Sequence, residues 1–352
     1  MKKRALVVVL AFMMIFAVVA CAVEEASAPA PAPAPAPEPE APAPAPAPDA
    51  PAPEPTGEPW EGKRLGIAHI TFYDEWCMGV YDEFTRQAPL MGFGEINIQN
   101  GDLNAELQTR QVEDFITQQY DMILIDPVNP EILLPALQRA HEAGIPVIAF
   151  DSGTDFEHLI THVAWDHAET GVLTGHYIAD YVEANLDGKV NVGILAMLYA
   201  PHTAIRSETF KETLEARLGA ENITYVFDQD FGQSREDATM IVENNIARPM
   251  DFIWAAVDNA AFGAKVALEL NAIQGTKIVS AGAWGSEPFN AMNDGDPWYM
   301  MAIGVSPEEI VRLSLESAQQ WFAGNTNIPR SQNIELSIID QSNIGNFMHF
   351  VQ

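Results

Sequence analysis

From Leu65 to Ile303 this chain repeats one unit, a short apolar run followed by a longer segment with apolar residues at helical spacing. Strand-like runs fall at Leu65–Ile70, Ile96–Ile98, Met122–Ile125, Val147–Phe150 and His162–Trp165. A second series falls at Val190–Leu195, Ile223–Phe227, Phe252–Val257, Ile278–Ala281 and Met300–Ile303. Between them, Leu103, Leu107, Val112 and Ile116 recur on one helical face, as do Ile132, Leu133, Leu137 and Ala140. Further helical patterns occupy Ile205–Leu218, Arg235–Ile246, Ala260–Leu270 and Glu308–Phe322. Strands alternating with helices of this length imply βαβ units and parallel sheets. Strands apolar throughout, such as Met122–Ile125, fit sheets covered on both faces. Two successive blocks predict an α/β protein of two doubly wound, Rossmann-like lobes.

The N-terminus reads differently. Lys2, Lys3 and Arg4 precede an apolar run from Ala5 to Ala20. That run is shorter than the roughly 20 residues of a spanning helix and predicts a signal peptide over residues 1–20. Val18-Val19-Ala20-Cys21 resembles a bacterial lipobox, which implies a lipid on Cys21 after cleavage; an ordinary secretory signal that contains Cys is the alternative. Residues 29–55 are nearly all Ala-Pro repeats. Proline fixes φ and removes the N–H, so the tract favours extended polyproline II and builds no core. At about 3.1 Å per residue, the stretch from Ala22 to Trp60 reaches on the order of 100 Å. Residues 21–61 thus read as a lipidated stalk beneath a globular head.

Eight of the 49 acids lie in that stalk and three of the 18 bases in the leader, which leaves the head 41 acids against 15 bases. A surface so acidic repels nucleic acid and anionic lipid. Cys77 is the one cysteine besides Cys21, so no disulfide framework exists and core packing is its simplest reading.

Ligands of doubly wound folds sit beyond the carboxyl ends of the strands. The residues placed there are Asp126, Asp151, Asp166, Asp258 and Trp284. Each carboxylate has a plainer role, capping the next helix. No catalytic constellation is present. His158 and His162 have i, i+4 spacing, but Ile160–Trp165 reads as a strand, which breaks a helical metal pair. Gly92-Phe-Gly94 lacks the third glycine of a dinucleotide loop. No cofactor, metal or catalytic residue is expected.

The ordered set Gln111–Ile116, Ile123–Val128, Ala143–Asp151, His162–Asp166, Arg206–Phe210, Asp258–Gly263 and Ser280–Trp284 resembles the periplasmic sugar-binding family typified by ribose-binding protein. The resemblance spans roughly Arg64 to Asp340. It implies the type 1 periplasmic-binding fold, two lobes joined by three hinge crossings near 165–167, 304–307 and 337–339. The implied lobes are 62–165 with 305–337, and 166–304 with 338–352. It implies a ligand between the lobes and transfer to a membrane permease of an ABC importer. Residue by residue, it implies ligand roles for Arg206 and Asp151 as hydrogen-bonding groups, Trp76 as a stacking ring, and Asp258 in the hinge-side network. Departures follow. Ser152 stands where the ribose-type site has arginine, Val257 where it has an amide, Trp284 where it has aspartate, and Val305 where it has glutamine. Trp76 and Trp284, together with Phe72, Tyr73 or Tyr199, predict a flatter and less hydroxyl-rich ligand than a pentose. The expected protein is therefore a monomeric, extracytoplasmic solute-binding lipoprotein with a sugar-like ligand, anchored to the cell membrane and not an enzyme. The alternative is a sensory receptor, related to autoinducer-2- or rhamnose-binding proteins, that presents its closed head to a chemoreceptor or sensor kinase.

Overall fold

The computed structural model describes residues 57–198, 201–232 and 234–351. The signal, Cys21 and the Ala-Pro tract lie outside the described residues, and so does Tyr199.

Two six-stranded sheets carry the chain. The first is ordered β11-β5-β4-β3-β1-β2 and is parallel throughout. Its strands are β1 (Leu65–His69), β2 (Ile96–Asn100), β3 (Met122–Ile125), β4 (Val147–Phe150), β5 (His162–Ala164) and β11 (Ser331–Asn333). The second is ordered β12-β10-β9-β8-β6-β7, with β12 antiparallel to β10. It comprises β6 (Val190–Ala196), β7 (Ile223–Asp230), β8 (Phe252–Ala255), β9 (Lys277–Ala283), β10 (Tyr299–Gly304) and β12 (Ser337–Asp340). All ten strands expected from the sequence are present. β11 and β12 are short edge strands whose composition carries no apolar run.

Helices cover both faces of each sheet. In the first lobe α1 (Glu75–Leu90) and α9 (Pro307–Phe322) bury Val80, Phe84, Ile310 and Leu315 against Leu65, Ile67 and Phe150. On the other face α2 (Ala105–Thr117) and α3 (Pro130–Glu142) bury Phe115, Leu133 and Leu137 against Ile123 and Ile125. The second lobe repeats this with α4 (His167–Asn185) and α5 (Pro201–Leu218) on one face, and α6 (Arg235–Asn245), α7 (Asp258–Leu270) and α8 (Ser286–Asn293) on the other. Two-sided covering explains why β3 is apolar throughout and wholly buried. Gly66 marks how closely a helix approaches: a Cβ there would sit 2.6 Å from Phe115 Cγ.

Caps set the helix starts at the sheet edge. Asp74, Asn104, Asn129, Asp166, Ser234 and Ser306 each accept a hydrogen bond from a first-turn backbone N–H. The chain passes between lobes after β5, between β10 and α9, and between β11 and β12. Among the described residues, no helix is long and apolar enough to cross a membrane.

Candidate functional site

The five residues singled out in the sequence, Trp76, Asp151, Arg206, Asp258 and Trp284, line one cavity of about 150 Å3. They come from both lobes: Trp76 from α1 and Asp151 after β4, against Arg206 on α5, Asp258 at the start of α7 and Trp284 after β9. The strand-end rule brings them together, since parallel strands present their carboxyl ends to one edge.

Arg206 is buried and its donors are directed by the protein. Nη1 donates to the Ala256 carbonyl at 2.9 Å, and Nε and Nη2 donate to His167 Nδ1 at 3.2 and 2.9 Å. A guanidinium cannot accept, so His167 Nδ1 is unprotonated and the ring is neutral. The Trp165 ring lies 5.7 Å from the Arg206 guanidinium. Gly282 leaves room for it, as a Cβ there would approach Nη1 to 2.9 Å.

Asp151 closes β4 with φ of 52°, a left-handed conformation that non-glycine residues adopt at a cost. Two contacts hold the segment: His162 Nε2 donates to the Asp151 carbonyl at 2.7 Å, and Ser152 N–H donates to Asp126 Oδ1 at 3.3 Å. Burial pushes the Asp151 carboxyl well above the usual range, Asp126 adds to the push, and Arg206 opposes it. Asp258 is raised to about 7, chiefly by burial and then by Asp74; the Asn259 backbone N–H offsets part of this.

The raised Asp258 has a consequence in the ligand-free protein. Its folded-state value exceeds the unfolded one, so its contribution to stability is fully present below about pH 4 and is lost as pH rises through about 7. Asp258→Asn should therefore unfold at a higher temperature than the wild type at pH 8, with the gap closing towards pH 4. Thermal denaturation across that range checks it, and a gap independent of pH would refute it.

Trp76 bridges the lobes. Its Nε1 donates to the Val305 carbonyl at the hinge at 2.9 Å, and its ring meets Trp165 edge-on at 5.5 Å. It packs against core residues of both lobes. Trp284 is buried against Phe289 and Phe350. Across the cleft, the Glu75 carboxylate of the first lobe accepts from Glu287 N–H of the second at 3.4 Å.

The remaining strand-end acids have other work. Asp126 is fully buried beneath Asp151 and pairs with His69, Nδ1 to Oδ2 at 3.0 Å. His69 Nε2 faces the Cys77 carbonyl at 3.2 Å. Both ring nitrogens therefore have a hydrogen-bonding partner in the core, and the ring is held between Asp126 and the α1 backbone. Asp166 is exposed and caps α4, the plain role. His158 stacks on His141 at 3.7 Å while His162 bonds Asp151, so the two histidines do not meet. Among the described residues there is no group of three or more His, Cys, Asp or Glu side chains that could hold a metal. Cys77 is buried, as core packing requires, yet it also lines the cavity.

Sequence reasoning gave no ligand role to several lining residues, among them Asp74, Trp165, His167 and Thr203. Asp74 caps α1, accepting from Cys77 N–H at 2.8 Å. Trp165 and His167 flank Asp166 and were legible only as a hinge crossing. Trp165 Nε1 is buried and has no hydrogen-bond partner among the described residues. Of the extra aromatics, Tyr73 lines the cavity, whereas Phe72 packs on Tyr81 and His69.

Two lobes with a lined cavity at their facing strand ends define a two-lobed binding protein. The model of the periplasmic binding protein domain matches residues 66–326, and the chain belongs to that family. The D-xylose-binding periplasmic protein of Escherichia coli K12 is 27% identical over 206 residues, covering 56% of this chain and 60% of that protein. The ribose import binding protein of Bacillus subtilis 168 is 23% identical over 262 residues, covering 74% and 82%. Among solved structures, the periplasmic binding component of the arabinose ABC transporter of Shewanella sp. ANA-3, bound to L-arabinofuranose, superposes with a TM-score of 0.73 at 21% identity. It covers 82% of this chain and 95% of that one, a likeness of fold. The family consists of extracytoplasmic binding proteins, not enzymes, and the chain is one of them.

Proposed function

We propose that the chain is a solute-binding lipoprotein of an ABC importer, which takes a sugar-like molecule between its lobes and delivers it to a permease. The observation that carries this reading is the convergence of Trp76 and Asp151 from one lobe with Arg206, Asp258 and Trp284 from the other on one cavity. A cavity of about 150 Å3 suits a single ring, being the size that holds benzene in an engineered core. Carboxylates accept from hydroxyls more strongly than neutral oxygens do, and indole faces cover C–H surfaces. A ligand touching both lobes favours the closed arrangement, because only there does it make all its contacts. The names of the relatives, for xylose, ribose and arabinose, support the sugar class.

The lobes proposed are 62–165 with 305–337 and 166–304 with 338–352, their boundaries set by the three crossings. Cys21 supplies the anchor in this reading, with residues 21–61 as a stalk that keeps the head near its permease; tethering raises effective concentration without adding contacts. Calorimetric titration of the purified chain against single-ring sugars, polyols and their amino derivatives tests the reading. Saturable one-to-one binding of at least one is expected, and binding of none would overturn it. Capture of a permease by the liganded chain supports import, whereas capture of a sensor kinase would replace import with sensing.

A further inference from the structure

The cavity has an imbalance of charge. Asp74, Asp151 and Asp258 line it with three carboxylates, against the single guanidinium of Arg206. His167 adds no positive charge, since its Nδ1 accepts from Arg206. The Asp151 carboxylate has no hydrogen-bond donor among the described residues, and Asp258 has only the Asn259 backbone N–H. Glu75 and Glu287 stand at the rim and add to the field on Asp258. Around these acids the walls are aromatic: Trp76, Trp165, Trp284, Tyr73 and Phe231.

Acidic groups alone would be a weak argument. Two independent observations point to the ligand's chemistry. Aromatic faces attract cations through the ring quadrupole, most strongly where water is excluded. The second is the buried Trp165 N–H, a donor in the cavity wall without a partner, which calls for an acceptor on the ligand. The ligand therefore needs both an acceptor oxygen and groups that satisfy three carboxylates.

We infer that the ligand of this cleft is a small single-ring molecule bearing a cationic nitrogen beside its hydroxyls, an amino sugar or a compact cyclic amino alcohol. The inference rests on the reading of the cleft as a ligand site. An ammonium brings three donors and one positive charge to the acids. Its charge offsets the repulsion from neighbouring acids, Asp74 foremost among those lining the cavity, that adds to burial in lifting the Asp151 and Asp258 carboxyls. A neutral sugar supplies donors but leaves that repulsion in place, and an anionic sugar increases it. The head as a whole, with 41 acids against 15 bases, draws cations towards the cleft and repels anions.

Matched pairs test this on the purified chain: D-glucosamine with D-glucose, D-galactosamine with D-galactose, and D-mannosamine with D-mannose, titrated at pH 7.5. In at least one pair the amine should bind ten-fold or more tighter than its neutral partner. Asp258→Asn, nearly isosteric, should shrink that preference several-fold while altering neutral-sugar affinity less; a preference unmoved in both Asp258→Asn and Asp74→Asn overturns the inference. Equal or tighter binding of every neutral partner also overturns it, yet leaves the receptor reading standing. Binding of no probe, neutral or amine, defeats both.

Discussion

Arg206→Ala should weaken ligand binding by about 1.5–3 kcal/mol, the range for hydrogen bonds to charged groups, or about ten- to a hundred-fold and more. The side chain is buried, and the Ala256 carbonyl and His167 Nδ1 fix the orientation of its guanidinium in the cavity wall before any ligand arrives. Truncation also removes the group that opposes the upward push on Asp151. Arg206→Lys should fail to rescue, because one ammonium cannot serve the Ala256 carbonyl, His167 and a ligand in the planar geometry of a guanidinium. Titration of both variants checks this. Unchanged affinity in Arg206→Ala would mean that the arginine only braces the second lobe.

The other large effect is on stability. Asp126→Ala strands the buried His69 ring without its carboxylate, and breaking one side of a buried pair costs roughly 3–5 kcal/mol. The loss extends to the Ser152 N–H, which donates to the same carboxylate and holds the turn that carries Asp151. Replacing both partners, as in His69→Met with Asp126→Leu, should cost much less, since neither side chain then leaves the other's buried polar group unpaired. Urea denaturation of the single and double variants measures the difference. A single-variant loss below about 1 kcal/mol would show that the buried His69–Asp126 contact does not hold the first lobe together.

Much of this fold was legible because its strands are apolar on both faces and its helices are periodic. The ten strand runs and the six helical patterns, that over Glu308–Phe322 among them, are found within a few residues of their expected places, while α1, α4 and α8 were not picked out. β11 and β12 escaped because a three- or four-residue edge strand such as Ser331-Gln332-Asn333 buries little and needs no apolar pattern. Of the strand-end acids, strand position alone placed all four at the edge without sorting them, and only the family resemblance singled out Asp151 and Asp258. Asp151 and Asp258 face the cavity, Asp126 turns inward to His69, and Asp166 caps α4. That sorting depends on a residue far away in sequence, as with His69 and Asp126, which no local pattern encodes. Asp74 shows the converse, a residue with a complete local explanation that also lines the site.

The departures from the ribose-type site acquire a physical meaning in the structure. Val305 offers its backbone carbonyl to Trp76 where a polar side chain was lost. Trp284 fills its place by packing on Phe289 and Phe350. The hinge side of the cavity is thereby apolar, and the charged side chains that line it are Asp74, Asp151, Arg206 and Asp258.

The central claim is that one ligand is held by carboxylates from both lobes at once. Affinity measured in Asp151→Asn, Asp258→Asn and the double variant tests it most directly. The expected result is weaker binding in each single variant, one from each lobe, and a further loss in the double. Affinity that survives both substitutions unchanged would contradict the claim and place the ligand outside this cleft.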